Sequence, residues 1–310
     1  IGAWSFNKCY KLASISIPST VNIICQCAFQ ACSSLTKIII PDSVTVIEDY
    51  AFNNCRSLKE MILPPSINCI GYHAFKNCSS LIKINIPSTV HSINSFTFEG
   101  CTSLKYISMS PEVNKIGYRA FRNCISMTGI YLSRFSLMEI DSCAFSGCKS
   151  ITKITFPSTL QIINSSLFEY CTSVTEVVIP LSVIEIDSYA FYECSSLIKI
   201  EIPSSITRIH SNAFEKCSSL KVFEIPSSVK EIEQSVFNQC TSLEQIKIPS
   251  SIQKIYKWAF YNCTSLKKVS IPSSVKEIEN GAFENCISLT NATISFYDTE
   301  YDSNSLDISK

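Results

Sequence analysis

The sequence predicts a repeat solenoid, mainly β, in which each coil combines short strands with a short helical or 3-10 turn. One Phe recurs every 23 residues from Phe6 to Phe283, with a single step of 24 between Phe121 and Phe145. A Cys follows each of these residues by three positions. A fixed period of this size indicates stacked repeats, and each repeat needs its neighbours to bury an apolar core.

Each part of the repeat predicts one element, and residues 226–248 serve as the example. Val229 to Ile232 favours a short strand on the side opposite the main one. The apolar slots at Val236, Phe237 and Cys240 follow the i, i+1, i+4 spacing of one tight turn that points inward.

The last part of the repeat predicts the main strand. Leu243, Ile246 and Ile248 give an L-x-x-I-x-I pattern, whose final alternation has the period of a strand. The following Pro249 has no N–H and ends the strand, and the Ser-Ser after it favours a turn. Stacking such units predicts a buried ladder, which includes Phe29, Phe52, Phe75, Phe237, Cys32, Cys55, Cys78 and Cys240.

The repeated motif resembles the BspA-type leucine-rich repeat. The shared pattern is L-x-x-I-x-I followed by P-S-S-V-x-x-I-x-x-x-A-F-x-x-C-x-S, and it covers about thirteen units of 23 residues in residues 1–294, the first unit truncated. The common leucine-rich pattern has Asn after the strand, whereas this chain has Pro and Ser. The resemblance implies a curved, right-handed solenoid with a parallel sheet on its concave face, and a role in cell-surface adhesion or recognition.

The chain divides into a solenoid, residues 1–294, and a C-terminal cap with an acidic tail, residues 295–310. The first residue is not Met and lies inside a repeat, so we expect a fragment of a longer protein. No run of eighteen apolar residues is present, so membrane attachment would come only from segments outside this chain.

Seventeen cysteines raise the question of a disulfide framework, but thirteen of them occupy one repeat column. A buried Cys behaves as a small hydrophobe, and parallel Cβ vectors one strand spacing apart leave the Cβ atoms slightly too far apart for an easy bridge. The pattern favours a ladder of free thiols over a disulfide framework. Cys25-Gln26-Cys27 has no second Cys or His pair at zinc spacing, so no metal site is predicted.

Charge is balanced overall but not along the chain. The total is zero, which gives no support to a nucleic-acid partner. Residues 1–155 hold 14 Lys and Arg against 8 Asp and Glu, giving +6, whereas residues 156–310 hold 12 against 18, giving −6. Opposite charge on the two halves favours weak, salt-sensitive self-association.

The one irregular region of the repeat is the candidate binding site. The single inserted residue falls within Arg134-Phe135-Ser136, and Tyr106 and Tyr131 occupy exposed strand positions just before it. Aromatic residues and Arg dominate binding hot spots, so we interpret Tyr106, Tyr131, Arg134 and Phe135 as a partner-binding site. Neutral drift of one coil is the alternative.

No catalytic constellation is present in the sequence, and no cofactor is predicted. The three histidines, His73, His91 and His210, fall in three different repeat slots, and the repeated Cys is expected to be buried. The favoured hypothesis is a non-enzymatic ectodomain, at the cell surface or outside the cell, that binds a protein or glycoprotein on other cells or in extracellular matrix. The alternative is a cytoplasmic protein–protein interaction scaffold, which a free-thiol ladder favours.

Overall fold

In a computed structural model of the chain, residues 1–132 and 137–294 are described and form a stack of β-coils. Each coil contributes one strand that is usually three or four residues long, called the longer strand, and one two-residue strand. The longer strand has only two residues at Ile130–Tyr131, and an isolated bridge at Lys199 replaces it in one coil. The predicted cap and tail at residues 295–310 lie outside the described residues. Within the described ranges there is no helix of the length and hydropathy that a membrane span needs.

The two classes of strand alternate along the chain. The longer strands are β1 (Ser14–Ser16), β3 (Lys37–Ile39), β5 (Glu60–Ile62), β7 (Lys83–Asn85), β9 (Tyr106–Ser108), β11 (Ile130–Tyr131), β13 (Lys153–Thr155), β15 (Glu176–Val178), β18 (Val222–Glu224), β20 (Gln245–Lys247), β22 (Lys268–Ile271) and β24 (Asn291–Ile294). The two-residue strands are β2 (Ile23–Ile24), β4 (Val46–Ile47), β6 (Cys69–Ile70), β8 (Ser92–Ile93), β10 (Lys115–Ile116), β12 (Glu139–Ile140), β14 (Ile162–Ile163), β16 (Glu185–Ile186), β17 (Arg208–Ile209), β19 (Glu231–Ile232), β21 (Lys254–Ile255) and β23 (Glu277–Ile278).

Strand pairing is parallel and follows the repeat. Glu60 lies opposite Lys83, which lies opposite Tyr106, so each residue pairs with the one 23 positions away. The two-residue strands form a second set of parallel ladders, as in Glu231 opposite Lys254. The strand predicted between Val229 and Ile232 is therefore confirmed, as is the parallel solenoid.

The segment that carries the repeated Phe consists of successive hydrogen-bonded turns and is not a helix. The N–H groups of Asn238 and Cys240 donate to carbonyls three residues back, at 3.1 Å each. Ser235 and Gln239 have φ values of 56° and 60°, and a 3-10 or α-helix needs consecutive residues with negative φ. The left-handed residues therefore confine each i→i+3 bond to a separate turn, which refines the predicted helical turn.

Left-handed residues recur two positions before and two positions after the repeated Phe. Their N–H groups point along the solenoid axis: Ser235 donates to Lys257 O in the next coil at 3.2 Å, and Gln239 donates to Tyr261 O at 2.8 Å. Phe237, which lies between them, also donates to the next coil, to Ala259 O at 2.9 Å. Along this segment, N–H groups that donate within the coil therefore alternate with N–H groups that donate to the next coil. The turns are satisfied as fully as the strands, which a buried backbone requires.

The core is a continuous file of stacked phenylalanine rings. Neighbouring ring centroids from Phe6 to Phe283 lie 4.9–6.1 Å apart, with interplanar angles of no more than 10°. Every predicted member of the ladder is buried: Phe29, Phe52, Phe75, Phe237, Cys32, Cys55, Cys78 and Cys240.

The Pro-Ser segment links successive coils as well as turning the chain. The hydroxyl of Ser251 donates to Val229 O at 2.7 Å, and that of Ser43 donates to Val21 O at 2.7 Å. In each case the acceptor belongs to the preceding coil. The Ser or Thr two residues after the Pro thus adds a side-chain ladder to the backbone ladders.

The inserted residue leaves the coils on both sides in register. Ile116 pairs with Ile140, 24 positions away, and the Phe121 and Phe145 rings stack at 5.4 Å with parallel planes. The expected continuity of the core columns is confirmed. The insertion itself, at residues 133–136, lies outside the described residues.

Candidate binding face

The outward side chains of the longer strands, together with the residue before each strand, form what we call the long-strand face. In these strands the central residue is buried and its two neighbours are exposed, as in β5 and β7. Ile39 and Ile62 are 69% and 77% exposed at equivalent places in β3 and β5. Successive coils therefore place chemically different side chains in parallel columns on one open surface.

Of the predicted binding residues, Tyr106 lies on this face. Its side chain is 53% exposed, and the Lys105 ammonium lies 5.2 Å from its ring centroid. Tyr131 belongs to β11 and its backbone pairs with Thr155. The side chain of Tyr131 and all of Arg134 and Phe135 lie outside the described residues, so their grouping with Tyr106 stays a prediction.

The outward side chains of the two-residue strands and the residues flanking them form a short-strand face, which is dominated by ion pairs in its C-terminal part. The His210 ring lies between two carboxylates: Nε2 contacts Glu185, and Nδ1 lies 3.3 Å from Glu233 Oε1. Lys254 contacts Glu277 at 3.0 Å and Glu279 at 2.7 Å. These contacts join successive coils.

A partly buried aromatic stripe runs two residues before the repeated Phe. The rings of Tyr50, His73 and Phe96 stack at 4.4 and 4.3 Å, and Arg119 lies 6.0 Å from the Phe96 centroid. Burial, and secondarily the charge of Lys76, lowers the pKa of His73. At these positions the stripe therefore packs over neighbouring coils.

A polar ladder directly after the repeated Phe was not anticipated. Glu99 is 8% exposed and contacts Lys76 at 2.6 Å on one side and Arg122 at 3.3 Å on the other. Further along, Asn238 donates to Glu215 at 3.0 Å. The sequence carried a signal for it, because Lys76, Glu99 and Arg122 occupy the same slot of three successive units.

The buried cysteines are poor nucleophiles and poor metal ligands. Each core thiol from Cys32 to Cys286 donates a hydrogen bond to the carbonyl of the Phe in the preceding coil, at 3.1–3.3 Å. Burial raises the pKa of Cys101, Cys148 and Cys217 to about 12. The thiolate is the reactive form, so these groups have little reactivity near neutral pH.

The side chains of the described residues form no group of three or more His, Cys, Asp or Glu able to hold a metal ion. Cys69 and Cys9, the first residue of the repeat column, are exposed. What the arrangement offers is a large, rigid surface of varied side chains. Such a surface suits binding.

Comparison with known protein families identifies the family to which this repeat architecture belongs. The sequence profile of the BspA type leucine rich repeat region matches residues 1–128, 68–198 and 184–307, which together span nearly the whole chain. The chain belongs to the BspA-type leucine-rich repeat family. Repeats of this kind generally serve as protein-binding scaffolds, not as enzymes.

Solved structures agree with the family. A leucine-rich repeat protein from Bacteroides ovatus is 28% identical, with a TM-score of 0.70 over 95% of this BspA-type chain and 87% of that protein. A leucine-rich repeat protein from Eubacterium ventriosum is 21% identical, with a TM-score of 0.52 over 94% of this chain and 86% of that one, which shows the shared fold alone. No curated protein sequence matches this chain.

Proposed function

We propose that this BspA-type chain is a non-enzymatic recognition domain that acts at the cell surface or outside the cell. Its target in this proposal is a protein or glycoprotein on another cell or in extracellular matrix. The observation that carries the proposal is the long-strand face, where exposed side chains of successive parallel strands combine into one continuous surface. Solenoids use extended surfaces of this kind for binding.

The composition of the face supports a protein target. Ile39 and Ile62 are more than half exposed on adjacent coils, and Tyr106, two coils beyond Ile62, is also more than half exposed. Exposed apolar side chains that lie side by side and are rimmed by polar ones are typical of protein–protein interaction sites. Aromatic residues are also enriched among residues that dominate binding energy.

The alternative, an intracellular scaffold, is favoured by one observation: the cysteines of the described residues are free. Reduced thiols are typical of the cytosol. The ladder is nevertheless compatible with an oxidising compartment. A pKa of about 12 for Cys101 leaves roughly one thiol in 10⁵ ionised at pH 7, and oxidation proceeds through the thiolate.

The binding proposal is tested with the purified chain on two kinds of target. Biotinylated protein is titrated onto immobilised extracellular-matrix proteins and onto intact epithelial cells, before and after trypsin treatment of those targets. We expect saturable binding that trypsin abolishes. Binding that is unsaturable, or that survives trypsin, contradicts a protein target.

Location is tested separately in cells that produce the native protein. An antibody against residues 1–294 is applied to intact and to permeabilised cells. Staining of intact cells supports the surface proposal, and staining only after permeabilisation supports the intracellular scaffold.

Self-association belongs to the same proposal as a weak, salt-dependent property. The charges of the two halves, +6 and −6, attract most strongly where screening is weak. Sedimentation velocity at about 0.01 M and about 0.15 M salt, where the Debye length falls from roughly 30 to 8 Å, is the test. We expect oligomers only at low salt, and a monomer at both concentrations contradicts this.

A further inference from the structure

One part of the long-strand face, on β3, β5, β7 and β9, differs from the rest. Its lysines and isoleucines form what we call the lysine–isoleucine patch: Lys37, Lys59, Lys83, Lys105, Ile39 and Ile62. All six side chains are exposed. The isoleucines occupy one outer column on β3 and β5, and the lysines occupy the two columns beside it across all four coils.

The four lysines of this patch are not neutralised by neighbours. Among the described residues, none of their ammonium groups lies within ion-pair distance of a carboxylate. Glu60, opposite Lys83, is the single acidic residue on these four coils of the face. Cationic side chains that outnumber the carboxylates around them favour an anionic partner.

The C-terminal part of the same face provides the contrast. Lys153 contacts Glu176 at 2.6 Å, and Lys267 contacts Glu244 at 3.0 Å. Glu201 and Glu224 add two further carboxylates among these lysines. Positive charge there is largely compensated on the surface itself, which makes the N-terminal patch the more selective place for an anionic segment.

A groove opens beside the apolar column of the patch. It has a volume of about 430 Å³ and is lined by Leu63, Asn85, Ile86, Ser108, Met109 and the Pro and Ser residues of the turns. Asn85 and Ser108 continue the column of Ile39 and Ile62 across β7 and β9. The two exposed isoleucines thus lie next to a concave site of mixed polar and apolar lining, which is large enough for a side chain of a bound segment.

We propose that the lysine–isoleucine patch binds an acidic protein segment that carries aliphatic side chains. The segment lies across the strands, with its carboxylates at the two lysine columns and its apolar side chains on Ile39, Ile62 and the groove. The aliphatic column distinguishes this partner from a sulfated polysaccharide, which offers anions but no apolar side chain to cover the isoleucines. The proposal rests on the protein-binding function above and names the chemistry of its partner.

The experiment is an unbiased selection from a phage-displayed library of random twelve-residue peptides on the purified chain. The same selection is run on Lys59→Glu/Lys83→Glu and on the control Lys221→Glu/Lys247→Glu. The control lysines are exposed on the same face in the C-terminal part, so the two variants change net charge equally. Circular dichroism melting verifies that both variants fold.

Peptides enriched on the wild-type chain are expected to be rich in Asp and Glu with interspersed Leu, Ile or Val. The affinity of a synthetic peptide from this set is expected to fall at least tenfold for Lys59→Glu/Lys83→Glu and less than twofold for the control. Ile62→Ser is expected to weaken the same peptide with no change in its salt dependence, because it removes apolar contact and no charge.

Three results overturn the proposal. Enriched peptides without net negative charge, or no enrichment at all, contradict an acidic partner. Equal losses of affinity in the patch variant and in the control contradict binding at the lysine–isoleucine patch. Heparin binding that is lost in Lys59→Glu/Lys83→Glu, with peptide binding unchanged, assigns the patch to a polysaccharide. Each of these leaves the trypsin-sensitive binding of the whole domain standing, so failure of the patch is distinguishable from failure of the proposed function.

Discussion

The thiol of Cys263 donates a hydrogen bond to the carbonyl oxygen of Phe237 at 3.2 Å, across the boundary between two coils. The same carbonyl accepts the N–H of Cys240 at 3.1 Å. Both acceptor sites of a buried oxygen are thereby used, which avoids the cost of an unsatisfied polar group. The repeated Phe-x-x-Cys thus supplies apolar volume and a hydrogen-bond ladder together.

The first prediction concerns the accessibility of the thiols. Short iodoacetamide treatment of the folded chain is expected to modify Cys9 and Cys69, which are exposed, and to spare the buried column. Burial keeps the column protonated and out of contact with the reagent. Peptide mass spectrometry gives the modification of each residue.

A thiol count under denaturing, non-reducing conditions completes that test. The account requires most of the seventeen cysteines to be reduced. A largely oxidised chain, or equal labelling of exposed and buried cysteines in the folded state, would replace the thiol ladder with a disulfide framework.

Alkaline pH is predicted to destabilise the fold through the same ladder. The pKa of Cys148 and Cys217 is raised from 9.0 to about 12 by burial, so the unfolded chain loses these protons at a lower pH than the folded chain. The stabilisation is complete below pH 9 and is lost as pH rises toward 12, by about 1.4 kcal/mol per pH unit for each buried cysteine.

Urea unfolding between pH 8 and pH 11, in the presence of reductant, measures this effect. Cys217→Ala provides the comparison, because removing this buried thiol is expected to reduce the slope by about 1.4 kcal/mol per pH unit. Lys and Tyr titration is common to both chains and cancels. A slope that is identical in the two proteins contradicts the assignment to cysteine.

The stacked phenylalanine rings predict that truncating one of these side chains strongly lowers the stability of the fold. Phe237 is 1% exposed and stacks between Phe214 at 6.0 Å and Phe260 at 5.3 Å. Phe237→Ala is expected to lower the free energy of unfolding by about 3–5 kcal/mol. Gln234→Ala, which alters a partly exposed residue of the same coil, is expected to change it by less than about 0.5 kcal/mol.

The denaturant midpoints of the two variants test which side chains of the coil point into the core and which point outward. Equal shifts would mean that the apolar columns are assigned to the wrong side of the coil. The chain is long and repetitive, so the two variants are compared at the first unfolding transition.

Breaking the Lys76–Glu99–Arg122 triad is predicted to lower stability more than breaking a surface ion pair does. Glu99 is almost fully buried between two cations, and Glu99→Gln is expected to cost about 1–3 kcal/mol because charge-assisted hydrogen bonds are lost. Glu201→Gln removes a carboxylate of the exposed Lys199–Glu201 pair and is expected to leave the thermal midpoint unchanged. Matching shifts in the two melting curves contradict the structural role of the triad.

Much of the fold follows from the sequence because the repeat fixes each slot thirteen times. Phe237, Cys240 and Ile246 occupy buried columns as their spacing predicts. The left-handed residues were missed, although Asn54, Asn77 and Gly100, which follow three successive Phe residues by two positions, were an available signal. Asn and Gly tolerate positive φ better than other residues do.

The binding site was less predictable than the fold for a physical reason. Buried slots are constrained by packing, whereas outward positions such as Ile39 and Lys83 accept nearly any residue without loss of stability. Sequence irregularity drew attention to Tyr106, Tyr131, Arg134 and Phe135. The repeat period by itself puts Lys37, Lys59 and Lys83 at outward strand positions beside the column of Ile39 and Ile62. Only the structure shows that no carboxylate of the described residues pairs with these lysines.

The most direct test of the long-strand face as the binding surface compares two matched double variants. Ile39→Asp/Ile62→Asp alters this face, and Ile162→Asp/Ile184→Asp alters exposed isoleucines on the other side of the coil. Binding of both to the trypsin-sensitive target is measured by biolayer interferometry. We predict at least a tenfold loss of affinity for the first variant and less than a twofold change for the second. Equal affinities, or a greater loss for the second, would contradict binding through the long-strand face.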